Sequence, residues 1–198
     1  MILVIDTSAT TSGWAALLRD DLGGVEMVGI VTKYANRGQQ AITTQLQTMI
    51  EGKTLTAVAV ATGPGSFTGL RVGVSFGLGL AMGLRIPIIP LPSLDLQSAR
   101  SDVPATAVIE AGRGRLYYKV PGGEPMLGDP GDIPTSHPLV GNVGPPTEAA
   151  LLAAGHRLMP LEPVSWAEAA AQLLEKAREV AYGSLKVEYM QSFSARPN

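Results

Sequence analysis

The sequence predicts an α/β fold in which a mixed sheet is covered by helices, followed by a smaller, loop-rich second unit. Three observations carry this. Residues 1–32 hold three apolar runs joined by short polar segments, the pattern of antiparallel hairpins. Helix and strand patterns then alternate up to residue 102, which implies a sheet with helices packed on it. A chain of 198 residues, 45% hydrophobic and 16% charged, is globular rather than disordered.

Taken in order, Met1–Ile5 is an apolar strand ended by Asp6-Thr7-Ser8, and Thr10-Thr11-Ser12-Gly13 is a polar turn. Trp14–Leu18 and Val25–Thr32 are the next strands, separated by Arg19-Asp20-Asp21 and Gly23-Gly24. After the break at Asn36-Arg37-Gly38, Gln39–Glu51 reads as a helix with Ile42, Leu46, Met49 and Ile50 on one side. Ala57–Thr62 has the length of a buried strand, Pro87–Pro92 is a short apolar run bounded by prolines, and Ser93 caps a helix through Ser98. The first lobe, residues 1–102, therefore runs β-β-β-α-β-α-β-α. That is the pattern of a ribonuclease-H-like half-domain, the building block of actin-like ATPases and sugar kinases.

A second lobe, residues 103–198, opens with a strand at Ala105–Glu110, a turn over Glu110–Arg115 and a returning strand at Leu116–Val120. Pro121–Pro146 holds six Gly and seven Pro in 26 residues and reads mostly as loop, with a short strand at Leu139–Val140. Thr147 caps a helix that Gly155 ends. Ser165-Trp166-Ala167-Glu168 is a capping box. It opens a helix to about Tyr182, with Gly183 as its terminating glycine and Trp166, Ala170, Leu173, Ala177 and Val180 buried. Val187–Met190 is a last strand and Ser192–Asn198 a frayed tail. This lobe repeats the opening of the first only weakly and is trimmed.

The stretch Ala57–Leu84 organises the rest. Its strand breaks at Gly63-Pro64-Gly65, and Ser66 or Thr68 can cap a following helix. Strand, glycine-rich turn and helix N-terminus can hold an anion, and equally can be just a tight strand-to-helix turn. From Leu70 to Leu84 large and small residues alternate with period two, yet the run far exceeds the usual strand of about five to six residues. Read as a helix, Gly69, Gly73, Gly77 and Ala81 fall on one stripe. Each internal Gly costs about 1 kcal/mol against Ala, so a close-approaching neighbour is required. The stripe is a packing seam, either against the chain's own sheet or against a second subunit.

Composition excludes several chemistries. There is no Cys, so no disulfide, thiol nucleophile or Cys-based zinc site. His137 and His156 are the two imidazoles, in Pro/Gly-rich and helix-end contexts that do not suit metal ligation. Net charge is −2 with scattered bases, which gives no footprint for independent nucleic-acid binding. No GxxxxGK[ST] loop and no HExxH occur. The uncharged run Val72–Leu84 is shorter than the roughly twenty residues of a bilayer span, and the start lacks a signal peptide's features, so the expectation is a soluble, cytoplasmic protein. Asp6 with Thr7 and Ser8, the turn Gly63, Gly65 and Ser66, and Glu110 at the opening of the second lobe would frame a phosphoryl-transfer cleft. A strand-end Asp followed by Thr-Ser is also a common turn former.

ILVIDTS at the start, the block AVATGPGSFTGLRVGVSFGLGLAMGLRIPIIPLPSLDLQS and the late VEYMQ resemble the bacterial TsaB (YeaZ) family. The resemblance covers residues 1–100 well and the remainder loosely. It implies the actin-like, two-lobed ASKHA fold with a trimmed second lobe. It also implies a non-catalytic subunit that pairs with TsaD, with TsaE, for threonylcarbamoyl transfer to adenosine 37 of tRNA, and that forms a homodimer when TsaD is absent. Catalytic residues and a metal are then not expected, tRNA is met only through the complex, and no cofactor is held tightly, ATP and Mg²⁺ entering only with the complex. The implied interface is the first lobe's helices: Ile42, Leu46 and Met49, then Gly69, Val72, Gly73, Phe76, Gly77 and Leu80. Two departures stand out. Gln39-Gln40 replace the family's usual His-Ser-type pair, and Glu110-Ala111-Gly112-Arg113-Gly114-Arg115 replaces an Asp-Ala-Arg motif followed by Glu. They weaken nucleotide chemistry in this chain's own cleft and leave a scaffold role intact. The alternative is a stand-alone actin-like ATPase or small-molecule kinase, with turnover lost in Asp6→Asn.

Overall fold

The computed structural model describes residues 1–9, 12–19, 24–32, 42–159 and 164–190. The expected turns at Thr10-Thr11 and Asp20–Gly23, the break at Asn36–Gly38, the first residues of the Gln39–Glu51 helix and the tail from Ser192 lie outside them.

The first sheet has five strands: β1 Ile2–Asp6, β2 Ser12–Leu18, β3 Val25–Thr32, β4 Ala57–Gly63 and β5 Ile88–Pro92. Their order is β3-β2-β1-β4-β5, with β1 antiparallel to β2 and parallel to β4. This is the mixed ribonuclease-H-like sheet of the actin-like fold. Strand alternation sorts its side chains. Leu3, Ile5, Leu17, Val58 and Val60 face helices α1 (Ile42–Ile50) and α2 (Phe67–Leu84). Val4, Ala16, Leu18 and Ala59 face the other way, onto α3 (Ser93–Ser98) and α5 (Trp166–Lys176).

The second sheet has four strands: β6 Thr106–Gly112, β7 Arg115–Lys119, β8 Met126–Gly128 and β9 Leu139–Val140, in the order β8-β7-β6-β9. With β6 antiparallel to β7 and parallel to β9, it repeats the first sheet's β3-β2-β1-β4 arrangement, without a fifth strand among the described residues. Leu94 of α3 packs on its near face with Ala107, Ile109 and Tyr117. Leu151 of α4 (Pro145–Ala153) packs on the far face with Val108, Leu116 and Tyr118.

The alternating segment is the helix α2, ended by Arg85 in the left-handed region (φ 57°). At 18 residues it is longer than the uncharged run counted from sequence, and by length and composition alone it is apolar enough to cross a membrane. Here it is a layer helix on the first sheet.

Several boundaries differ from expectation. Ser93 does not cap α3; Pro92 holds that position and Ser93 Oγ accepts from the Gly63 N–H. Helix α4 starts at Pro145, not after Thr147, and the Thr147 hydroxyl donates to Glu110 instead. The capping box at Ser165 and Glu168 forms, but α5 stops at Lys176 rather than Tyr182. The reason is tertiary: the exposed edge of β5 needs a partner, and Val180 leaves the helix pattern to donate to the Ile88 carbonyl. Gly183 accordingly sits in a 3₁₀ turn, and Val187–Met190 is extended without being a strand. Helix α5 and Val180, Tyr182, Leu185 and Val187 after it pack on the first sheet, while Met190 packs on the second.

Candidate functional site

Two regions could carry function: the cleft between the sheets and the outer layer of α1 and α2. In the cleft, Asp6 is 3% exposed at the end of β1. Its Oδ1 accepts from the Ser8 N–H (2.8 Å) and its Oδ2 from the Trp166 indole N–H (3.4 Å). The first contact is an Asx-type turn, the second ties β1 to α5. Nearby, Arg100 donates to Gln97 Oε1 (3.1 Å). Burial pushes the Arg100 guanidinium down to about 10, and the Asp6 charge opposes that shift. Arg100 thus stays charged at neutral pH. The space lined by Asp6, Ser8, Gln97, Ile109 and Asn142 is about 20 Å³, room for a water rather than a nucleotide.

The turn read as either an anion cradle or a tight strand-to-helix turn is internally engaged. Gly63 has φ +111°, and a Cβ there would lie 2.6 Å from the Glu188 carbonyl oxygen, so glycine is required on both counts. The Gly63 N–H donates to Ser93 Oγ (3.0 Å), and the Ser66 N–H donates to the Ser8 carbonyl (2.7 Å). Ser66 Oγ caps α2 by accepting from Gly69 (3.2 Å). A Cβ on Gly65 would lie 2.6 Å from the Ser8 carbonyl oxygen. The Thr7 hydroxyl donates to the Gly69 carbonyl (2.7 Å). These bonds set the angle at which α2 leaves the sheet. Glu110 is likewise engaged: its Oε1 accepts from Gly144 (2.9 Å) and from the Thr147 hydroxyl (2.6 Å), closing the N-terminus of α4.

Among the described residues no cluster of three metal-ligating side chains occurs. Buried His156 shares a hydrogen bond between Nε2 and the Pro130 carbonyl (2.8 Å), and His137 Nδ1 bonds the Ser136 hydroxyl (3.0 Å).

On the helix layer the expected interface residues separate. Leu46 and Met49 point into the core beneath α1. Gly69, Gly73 and Gly77 are buried: added Cβ atoms on Gly73 and Gly77 would strike Thr7 Oγ1 and Val60 Cγ1, well inside van der Waals contact. The glycine seam belongs to the chain's own sheet, and these five residues do not form an outward face. Val72, Phe76 and Leu80 are half-buried and flank the outer face. Ile42 opens α1. The outward face of α2 runs through Ser75, Gly79 and Gly83, all exposed, with nothing within 4 Å of a Cβ added to either glycine. Met82 and Leu84 beside it are 52% and 50% exposed. Sequence reading missed Tyr182 and Tyr189, which hold α2 from the C-terminal segment; the excess of aromatic residues after Ala177 was the available signal.

Residues 33–124 match the family model described as TsaD, tRNA N6-adenosine threonylcarbamoyltransferase. The chain is 36% identical over 121 residues to the tRNA threonylcarbamoyladenosine biosynthesis protein TsaB of Bacillus subtilis, a match covering 59% of this chain and 52% of that protein. To the TsaB protein of Escherichia coli it is 39% identical over 69 residues, covering 32% of this chain and 30% of that one. The alignments thus span about half, or less, of these relatives' length. A solved structure of YeaZ from Pseudomonas aeruginosa superposes with a TM-score of 0.69 at 16% identity, covering 96% of this chain and 99% of that one. The resemblance to the TsaB (YeaZ) family read from the residues is borne out, and the fold is shared.

Proposed function

We propose that this relative of the TsaB (YeaZ) proteins is a non-catalytic subunit in threonylcarbamoyladenosine biosynthesis, docking a TsaD-type partner through the outer face of α2. The observation that carries the reading is the division of α2. Its inward glycine seam is filled by the chain's own sheet, while Ser75, Gly79 and Gly83 leave a flat outward strip edged by apolar side chains. Small residues on such a strip let a second helix approach closely, and exposed Met82 and Leu84 add apolar area to bury. The partner's identity is supported by the match of residues 33–124 to the TsaD family model. Two chains with related helix layers can pair about a pseudo-twofold axis, and without TsaD two copies of this chain pair through the same strip.

The cleft supports the non-catalytic part. Asp6, Ser66 and Glu110 all have internal partners. TsaE, ATP and Mg²⁺ then enter only with the assembled complex, tRNA is met through its partners, and the work is cytoplasmic. The test is co-purification of the tagged chain with a TsaD-type protein. Met82→Glu and Gly79→Leu, both on open surface, should each lower recovery roughly tenfold or more. Unchanged recovery with both variants folded overturns the docking reading. Mg-ATP turnover by the chain alone, abolished by Asp6→Asn, would replace it with a stand-alone ATPase.

A further inference from the structure

Helix α2 lies close on the sheet through its glycines, with Val74 and Ala81 in the core beneath it, and other segments hold both of its ends. The N-terminal end of α2 is tied by Thr7 and Ser66. The C-terminal end closes on Arg85 in the left-handed region, which strains a non-glycine residue. Its last carbonyls also need partners. The Ala81 carbonyl accepts from the Ile86 N–H (3.0 Å), and the Tyr182 hydroxyl, from far along the chain, lies 3.2 Å from that carbonyl and donates to the Ile86 carbonyl just past the helix (2.9 Å). From there the chain runs back along the helix. Leu185 and Val187 pack on the α2 side of the first sheet, and the Glu188 N–H donates to the Thr62 carbonyl (2.8 Å). Tyr189 reaches the first turns of α2, its ring 5.2 Å from that of Phe67, and its hydroxyl accepts from Arg71 Nε (3.4 Å). The Arg71 guanidinium in turn stacks 3.7 Å above the Phe67 ring.

We propose that residues 180–189 form a clamp that holds both ends of α2, with Tyr182 as the positioning residue for the turn that presents Met82 and Leu84 to a docking partner. The inference rests on the docking reading above. It adds that residues 180–189 pre-organise that strip and so set the affinity of the complex.

The test uses the full chain carrying Tyr182→Phe, which removes the hydroxyl and keeps the ring. The amide N–H groups of Arg85 and Ile86, bonded to the Met82 and Ala81 carbonyls, report the turn by hydrogen exchange. Loss of one such bond should speed their exchange roughly fivefold and weaken binding of a TsaD-type partner by a similar factor. Adding Arg85→Gly, which relieves the left-handed backbone, should restore both. Exchange unchanged at Arg85 and Ile86 overturns the clamp. Exchange accelerated with partner affinity unchanged, in an assay where Met82→Glu does weaken binding, overturns the clamp's role in docking and leaves the docking reading standing. A Met82→Glu variant that binds normally overturns docking itself, and the clamp's link to affinity with it.

Discussion

Replacing Gly73 with Ala tests whether the glycine seam is an internal one. A Cβ there meets Thr7 Oγ1 head on, with Thr7 Cβ at 3.4 Å and Ile5 Cγ2 at 3.5 Å. Thr7 is 1% exposed and its hydroxyl is bonded to the Gly69 carbonyl, so it has nowhere to retreat without giving up that bond. Overpacking costs about 1–3 kcal/mol and the lost hydrogen bond about 1 kcal/mol. Better helix propensity returns about 1 kcal/mol. The net is a loss of about 2 kcal/mol, or about 4–8 °C in a chain of this size. Gly79→Ala is the control on the same helix. Its Cβ points into open space, so the propensity gain stands alone and the melting point should rise by about 2–4 °C. Thermal melts followed by circular dichroism, with urea unfolding as a second probe, read both. A Gly73→Ala protein as stable as the parent, or one no less stable than Gly79→Ala, would refute the internal seam.

Other consequences are simpler to check. Glu110→Ala removes the acceptor for Gly144 and the Thr147 hydroxyl, and should cost about 1–2 kcal/mol, seen as an earlier melt with the first sheet's packing intact. The Glu168 carboxyl is held below its ordinary value by the Ser165 side chain first and the Ser165 backbone second. A depressed carboxylate contributes stability that is full above the ordinary carboxylate value of about 4.3 and is lost as pH falls through the folded-state value. Glu168→Gln should therefore melt earlier than the parent at neutral pH, and the two curves should converge in acid.

Much of the fold was legible because its signals are local. Short apolar runs between polar turns gave the strands of the first sheet, and the Ser165–Glu168 box gave the start of α5, since both residues of the box lie within one turn. What was not legible depends on distant partners. Nothing near Lys176 says that the helix must stop; the bare edge of β5, nearly ninety residues earlier, decides it through Val180 and Ile88. Strand β8 is three residues inside a Pro/Gly-rich stretch and exists because Leu116, Tyr117 and Tyr118 of β7 offer it a ladder. The candidate site suffered most from this. Asp6, Gly63 and Glu110 were singled out for a phosphate cleft, and what surrounds them in the fold is Trp166, Glu188 and Thr147, which no spacing in the sequence connects to them.

The repeated sheet order explains why those roles are structural in both halves. Asp6 ends the first strand of one sheet, and Glu110 lies near the end of the corresponding strand of the other. In the first half, Asp6 Oδ1 takes the Ser8 N–H and thereby holds the Ser8 carbonyl toward the Ser66 N–H, just before α2 begins. In the second half, Glu110 Oε1 takes the Gly144 N–H directly, just before α4 begins. Both acids thus tie the end of the first strand to the loop that launches the helix after the parallel neighbour, β4 in one case and β9 in the other. A carboxylate committed to that bond is fixed in a turn, and Asp6 is held at both oxygens, by the Ser8 N–H and the Trp166 indole. The same two loops set the pitch of the helices that follow them. In the first half that helix is α2, so Asp6 bears, through Ser8 and Ser66, on the angle at which α2 leaves the sheet.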